Sequence, residues 1–236
     1  MIKKRAFWAV KKLCNRFGFD IKQFHPHYTT VLKTYGIRTI FDIGANNGQF
    51  ALDARAHLPD AHIYSFEPLK DCYTELVKNM VDAPHFKAFN FGLGAKNTES
   101  DIHRSTFSPS SSLLPMAQLH KELYPKSIGT VDEKITIKRL DDIFDGLAVE
   151  KPLMIKMDVQ GYEDQVISGG IKTLSQASVL LIETSFKVLY EGQPLFEDIC
   201  DLVRPLGFVY YGNNGQHWNK KTQELIYEDS IFVKKI

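Results

Sequence analysis

The seven residues Asp42-Ile-Gly-Ala-Asn-Asn-Gly48 constrain this chain more than any others, because they join an apolar, β-rich run to a helical pattern through two glycines. Glycine allows turns that a side chain would block and lets a ligand approach the main chain closely. A strand that turns through glycines directly into a helix belongs at the carboxyl edge of an open α/β sheet, the edge at which such folds bind ligands. The alternation persists along the chain. Predicted strands fall at 39–43, 62–67, 86–91, 153–158, 179–184, 208–211 and 230–234, and predicted helices at about 47–56, 70–80, 162–173 and 195–205. An open, mainly parallel sheet covered by helices follows.

The stretch 95–145 interrupts that rhythm. Strands expected at 100–105 and 134–138 flank Ser108-Pro-Ser-Ser-Ser-Leu-Leu-Pro115, read as a mobile loop inserted between the third and fourth core strands. With 236 residues and 44% hydrophobic content, 37–236 is expected as one domain carrying this insertion, and 1–36 as a helical segment packed on it. Within that segment Phe7, Trp8, Val10, Leu13 and Phe17 recur at helical spacing among Lys3, Lys4, Arg5, Lys11, Lys12 and Arg16. The pattern predicts an amphipathic helix over 4–17 with a basic face toward water; the alternative is peripheral binding of that face to an anionic membrane or to a lipid-linked sugar as substrate. Lys11 and Lys12 end the apolar run too early for a secretion signal. Cys14, Cys72 and Cys200 form neither a disulfide framework nor a zinc pattern, so a cytoplasmic location is expected. The balance of 29 Lys+Arg against 28 Asp+Glu supplies no field for nucleic acid, which is not expected as a partner.

The glycine loop also selects a ligand. A dinucleotide fingerprint needs a middle glycine where pyrophosphate meets the main chain, and Asn46 stands there. Asp42 adds an acid suited to the ammonium of a methionine moiety and unfavourable beside phosphates. One strand later, Glu67 is placed to accept hydrogen bonds from both hydroxyls of a ribose, and Pro68 begins the next helix. Together these residues point to S-adenosylmethionine. A nicotinamide-dependent oxidoreductase and a non-catalytic protein that binds the same cofactor stay open as alternatives.

Four segments, Phe41-Asp-Ile-Gly-Ala-Asn-Asn-Gly48, Phe66-Glu-Pro68, Leu140-Asp-Asp-Ile143 and Ile155-Lys-Met-Asp-Val-Gln-Gly-Tyr-Glu163, resemble class I methyltransferases of the FkbM type over roughly 37–236. That family carries out O-methylation, often on sugars or polyketide natural products. The resemblance implies a Rossmann-like, seven-stranded sheet with an antiparallel last strand. It also implies that Asp42, Gly44, Ala45, Asn46 and Gly48 surround the methionine part of the cofactor, with Glu67 and Pro68 at the ribose and Asn90 and Gly92 on the adenine side. One departure stands out: the family commonly reads Asp-x-Glu-Gly-x-Glu after the fourth strand, whereas Gln160 occupies the middle position here.

Methyl transfer requires that a nucleophile be positioned and, where it carries a proton, deprotonated. Asp158, at the end of the fourth predicted strand, Glu183, at the end of the fifth, and Glu163 are the catalytic candidates. Helix capping is the alternative role for Asp158, and favouring a helix N-terminus is the alternative for Glu163. Asp158 and Glu183 lack a distinct third ligand, so no metal is expected. Ser111 and Ser112 are candidates to close over a polyhydroxylated acceptor. His217, beside Trp218 in the predicted turn before the last strand, is a candidate to meet a sugar, with a plain hairpin tip as the alternative. The expected reaction is O-methylation of a hydroxyl on a sugar or small natural-product-type metabolite.

Overall fold

The structure is a computed structural model that describes residues 10–18 and 27–234. Strands β1 (Thr39–Ile43), β2 (His62–Phe66), β3 (Phe86–Phe89), β7 (Leu153–Met157) and β8 (Val179–Ser185) lie parallel, with β1 at the centre between β2 and β7. The long hairpin of β9 (Phe208–Trp218) and β10 (Leu225–Lys234) completes the sheet, with β10 antiparallel to β8. The resulting order is β3-β2-β1-β7-β8-β10-β9. The resemblance anticipated seven strands and an antiparallel last strand, and both are present. A second, three-stranded sheet holds β4 (Gly92–Leu93), β5 (Thr98–Ser105) and β6 (Thr130–Lys138), in the order β4-β6-β5.

Central parallel strands are covered on both faces and therefore read as near-continuous apolar runs. Every residue of β1 and of β7 is buried. Alternate residues feed two cores: Phe41, Ile43, Ile155 and Met157 pack on one face, Ile40, Ile63 and Met154 on the other. The helix His27–Thr34 joins the second core through Tyr28, Val31 and Leu32.

Several expectations are corrected. The helix foreseen at 162–173 breaks at Gly170 into Glu163–Gly169 and Ile171–Leu174. The strand foreseen at 208–211 continues to Trp218, so Asn213, Asn214, Gly215 and His217 lie in β9 and not in a turn. Turn-like residues are accommodated there because register shifts let the hairpin bulge against β10. The serine-rich segment is built in: Ser110 and Ser112 are buried, and Ser112 bridges His103 of β5. Of the amphipathic helix expected over 4–17, residues 4–9 lie outside the described residues, and 10–16 are helical. Val10, Leu13 and Phe17 are 51%, 57% and 72% exposed. Among the described residues, no helix is long and apolar enough to cross a membrane.

Phe41 shows how the core supports the sheet edge. It is fully buried and meets Tyr64, Phe66 and Phe144 edge to face, with ring centroids 5.6, 5.9 and 6.1 Å away. Phe41→Ala should cost about 3–5 kcal/mol in urea unfolding, because the rings around it cannot close the cavity. A loss below about 1 kcal/mol would show that the core relaxes freely at this point.

Candidate active site

The turn after β1 is pinned from both neighbouring strands. Phe66 carbonyl, at the end of β2, accepts from the N–H groups of Gly44 (3.0 Å) and Ala45 (3.1 Å), and Asp158 N–H, just past β7, donates to Ile43 carbonyl (3.1 Å). Gly44 has φ +74°, and a Cβ there would lie 1.9 Å from the Asp158 carbonyl oxygen. Only glycine fits. Gly48, at φ 88°, makes the second left-handed turn and starts the helix Gln49–His57. Asn46 adopts φ 46° between them, a conformation asparagine tolerates better than most residues.

Beneath this turn Lys156 is buried. Its Nζ donates to Gly44 carbonyl at 2.9 Å and lies 3.2 Å from Asp42 Oδ1 and 3.7 Å from Asp158 Oδ2. Burial alone would lower the lysine pKa, but the flanking Asp42 and Asp158 carry it above the ordinary range. Asp42 is 0% exposed, lines neither of the two cavities described below, and has Lys156 between it and the Gly44 carbonyl.

Two adjoining cavities open at the turn, sharing Gly44, Asn46, Pro109 and Asp158. The first, about 100 Å³, runs from Gly44 past Glu67 and Pro68 to Gly92, under Ile102, Leu113 and Ile135 of the insertion. Glu67 is almost fully buried. Its Oε2 accepts from Asn46 N–H (2.8 Å) and its Oε1 from Leu69 N–H (2.9 Å), yet burial outweighs those bonds and lifts its pKa to about 7. Asn90 does not line the cavity; its amide donates to the carbonyls of Glu67 and Pro68 and holds that corner. The second cavity, about 340 Å³, brings Ala45, Phe50, Lys156, Asp158, Glu183 and Asp229 together. Burial first, then the charges of Asp158, Glu163 and Asp229, raise the Glu183 pKa well above the carboxylate range. Asp229 is likewise lifted, to about 6, by burial and by Asp158.

Of the other sequence candidates, Glu163, Ser112 and His217 line neither cavity. Glu163 is buried under the 158–163 turn, with Oε1 accepting from Val159 N–H (3.0 Å) and Gly161 N–H (3.3 Å), and it lines neither cavity. Ser111 lines the first cavity, the cofactor side, while Ser112 is 1% exposed and donates to Gln160 carbonyl at 2.7 Å. His217 is exposed, stacks on Tyr227 at 4.8 Å and lines neither cavity. Sequence reasoning missed Asp229 and Asn214, which reach the second cavity from the terminal hairpin. The available signal was an acidic pair, Glu228-Asp229, inside an otherwise β-rich run.

The donors and acceptors test the cofactor. Among the described residues no lysine or arginine lines the first cavity, so a pyrophosphate would find no cation there. A buried carboxylate beside an apolar slot suits a ribose and a purine. The sheet order, the glycine turn after β1 and the acid after β2 together define a class I S-adenosylmethionine-dependent methyltransferase. Residues 42–210 match the methyltransferase FkbM domain, and the chain belongs to that family. It is 31% identical over 175 residues to the 2-O-methyltransferase NoeI of Sinorhizobium fredii, covering 70% of each chain. It is 27% identical to the hexuronic acid methyltransferase AglP of Haloferax volcanii, covering 61% of this chain and 54% of that one. It is also 27% identical to the 31-O-demethyl-FK506 methyltransferase FkbM of Streptomyces tacrolimicus, covering 55% and 58%.

The glycine turn yields a direct check. Gly44→Ala should lose about 3 kcal/mol or more of stability and abolish cofactor binding, since it combines a strained φ with a clash against backbone. Gly146→Ala is the control, because a Cβ there meets nothing within 4 Å. Equal unfolding midpoints for the two variants would contradict the packing described.

Proposed function

We propose that this methyltransferase places its methyl group on a hydroxyl of a sugar or a related small natural-product-type molecule. The observation that carries this reading is the second cavity, where Asp158 and Glu183, at the ends of adjacent strands, face the space beside the glycine turn. A carboxylate there can orient a hydroxyl and accept its proton. The names of NoeI and of the FK506 enzyme specify oxygen as the methyl acceptor, and AglP acts on a hexuronic acid.

In this reading Glu67 accepts from the ribose hydroxyls, Pro68 and Gly92 border the adenosine, and Gly44, Ala45 and Asn46 follow the amino-acid end. Asp42 acts through Lys156, and Gly48 and Asn90 shape the walls without touching the ligand. When bound, S-adenosylmethionine supplies an electrophilic methyl carbon and a sulfonium leaving group. The chain's task is then positioning, exclusion of water beneath the insertion, and removal of one proton.

Glu67 makes cofactor binding depend on pH in a defined direction. Its pKa of about 7 means that the unliganded carboxyl is protonated in mild acid, whereas ribose hydroxyls donate best to the carboxylate. Affinity for S-adenosylhomocysteine should therefore weaken as pH falls below about 7, by at most about tenfold per pH unit. Calorimetry should also show Glu67→Gln binding about tenfold or more weakly at pH 8 and losing that pH dependence. The reaction is tested by mass spectrometry of a panel of sugars and polyketide alcohols incubated with enzyme and S-adenosylmethionine. A one-methyl mass gain that Glu183→Gln abolishes is the expected result. Cofactor affinity with methylation confined to nitrogen or carbon acceptors would overturn it.

A further inference from the structure

Gln160, the residue that departs from the family pattern, lies at the centre of a hydrogen-bond chain. Its Nε2 donates to Asp158 Oδ1 at 2.8 Å and to Glu183 Oε1 at 2.9 Å, using both amide hydrogens. Its Oε1 accepts from Tyr190 hydroxyl at 2.8 Å. In this orientation both amide hydrogens meet carboxyl oxygens and the amide oxygen meets a hydroxyl, so every polar group of the side chain is satisfied.

Tyr190 is itself rigidly held. It is 2% exposed, its ring lies 4.9 Å from that of His120, and its backbone bridges Met116 of the insertion. Its hydroxyl also approaches Ser110 carbonyl at 3.1 Å. Gln160 adopts φ 55°, a costly conformation for a side chain of this kind, and Ser112 donates to its carbonyl. The whole turn is braced to present this one amide.

The chain of bonds distinguishes the two carboxyls. Asp158 has both oxygens facing a donor: Oδ1 receives Gln160, and Oδ2 faces Lys156 at 3.7 Å. Glu183 has Oε1 engaged by Gln160, and among the described residues no donor reaches its Oε2. We infer that Gln160, oriented by Tyr190, is a positioning residue that joins Asp158 and Glu183 into one pair and leaves Glu183 Oε2 as the atom that receives the acceptor's proton. This rests on the hydroxyl-acceptor reading above. The hydroxyl proton goes to Glu183 Oε2 as the oxygen bonds the methyl carbon, and the electron pair of the broken carbon–sulfur bond stays on sulfur.

An amide suits this place better than an acid. Glu183 already faces Asp158, Glu163 and Asp229, with Lys156 as the opposing charge and the hydroxyls of Tyr124, Tyr190 and Tyr227 nearby. A further carboxylate at 160 would take up the proton that Glu183 must accept. Gln160 supplies donors without adding charge, and donors favour the ionised form of Glu183.

The test is a carboxyl ¹³C NMR titration of the full chain labelled at glutamate Cδ, with the Glu183 signal assigned by its loss in Glu183→Gln. Gln160→Met keeps the volume and removes the amide, and it should move the Glu183 midpoint to higher pH by about one pH unit. Tyr190→Phe removes one oxygen, keeps the ring, and should move the midpoint the same way by less. It decides the question should Gln160→Met fail to fold. The alkaline shift should reappear in the rising limb of the kcat profile, a readout that a merely structural role would leave unmoved. Midpoints that coincide with wild type in the folded variants overturn the inference. The titration needs no acceptor, so a shifted midpoint alongside an acceptor panel that shows no O-methylation would count against the hydroxyl reading alone.

Discussion

The Lys156 ammonium is the interaction on which this sheet edge depends. It ties the end of β1, the glycine turn and the end of β7 together through Asp42, Gly44 carbonyl and Asp158. Taking a lysine and an aspartate out of water is costly, and a buried pair rarely repays that cost in stability. What it provides here is geometry. With Lys156 in place the Gly44 carbonyl is satisfied and the turn is tied to β7. Removing Lys156 would leave Asp42 buried beneath the cofactor loop without its cation. Asp42 therefore matters through its buried position beneath the turn.

Much of the fold was legible because its signals are local. The Asp42–Gly48 run shows turn, edge and ligand together, since glycine at positive φ and a following helix leave few alternatives. Parallel strands such as Leu153–Met157 announce themselves as apolar runs. The hairpin was less legible. Asn213, Asn214 and Gly215 carry turn chemistry, and nothing nearby in sequence shows that they pair as a bulged strand with β10. That pairing depends on a buried carboxylate: Glu228 accepts from Tyr210 hydroxyl (2.8 Å), Gln216 Nε2 (2.9 Å) and Ser230 hydroxyl (2.9 Å). Three donors to one buried acid specify a register that residue patterns cannot express.

Legibility fell further at the site because its walls come from distant segments. The glycine turn, the 158–163 turn and the ends of β2 and β8 could each be identified, but their closure by the insertion could not. Ser108 reaches Asn46 at 3.3 Å, Ser112 reaches Gln160 carbonyl, and Tyr190 hydroxyl approaches Ser110 carbonyl. A serine-rich stretch suggests mobility when read alone. Here Ser108 and Ser112 spend their hydroxyls on the two turns that form the cavities, and the Ser110 carbonyl meets Tyr190, so the insertion acts as a roof. Asp229 was hidden for a related reason: it faces Glu183 only because β10 runs antiparallel to β8 in that register.

Whole-chain charge conceals the most consequential property of the site. A net charge of +1 suggests no preference for any ion, yet Asp42, Asp158, Glu163, Glu183 and Asp229 gather at one corner around the Lys156 ammonium. Such crowding is tolerable only where protons, amides or cations offset it, and each appears. Burial, with repulsion among the acids, lifts Asp42, Glu163, Glu183 and Asp229 toward the protonated form. Gln160 supplies neutral donors to two carboxyls, and Lys156 supplies charge to two. A ligand carrying a sulfonium and an ammonium adds the missing positive charge, and its arrival favours ionised carboxyls beside it. Cofactor charge and the ionisation of these carboxyls are thus linked through the local field, to which the neutral amide at 160 adds donors and no further negative charge.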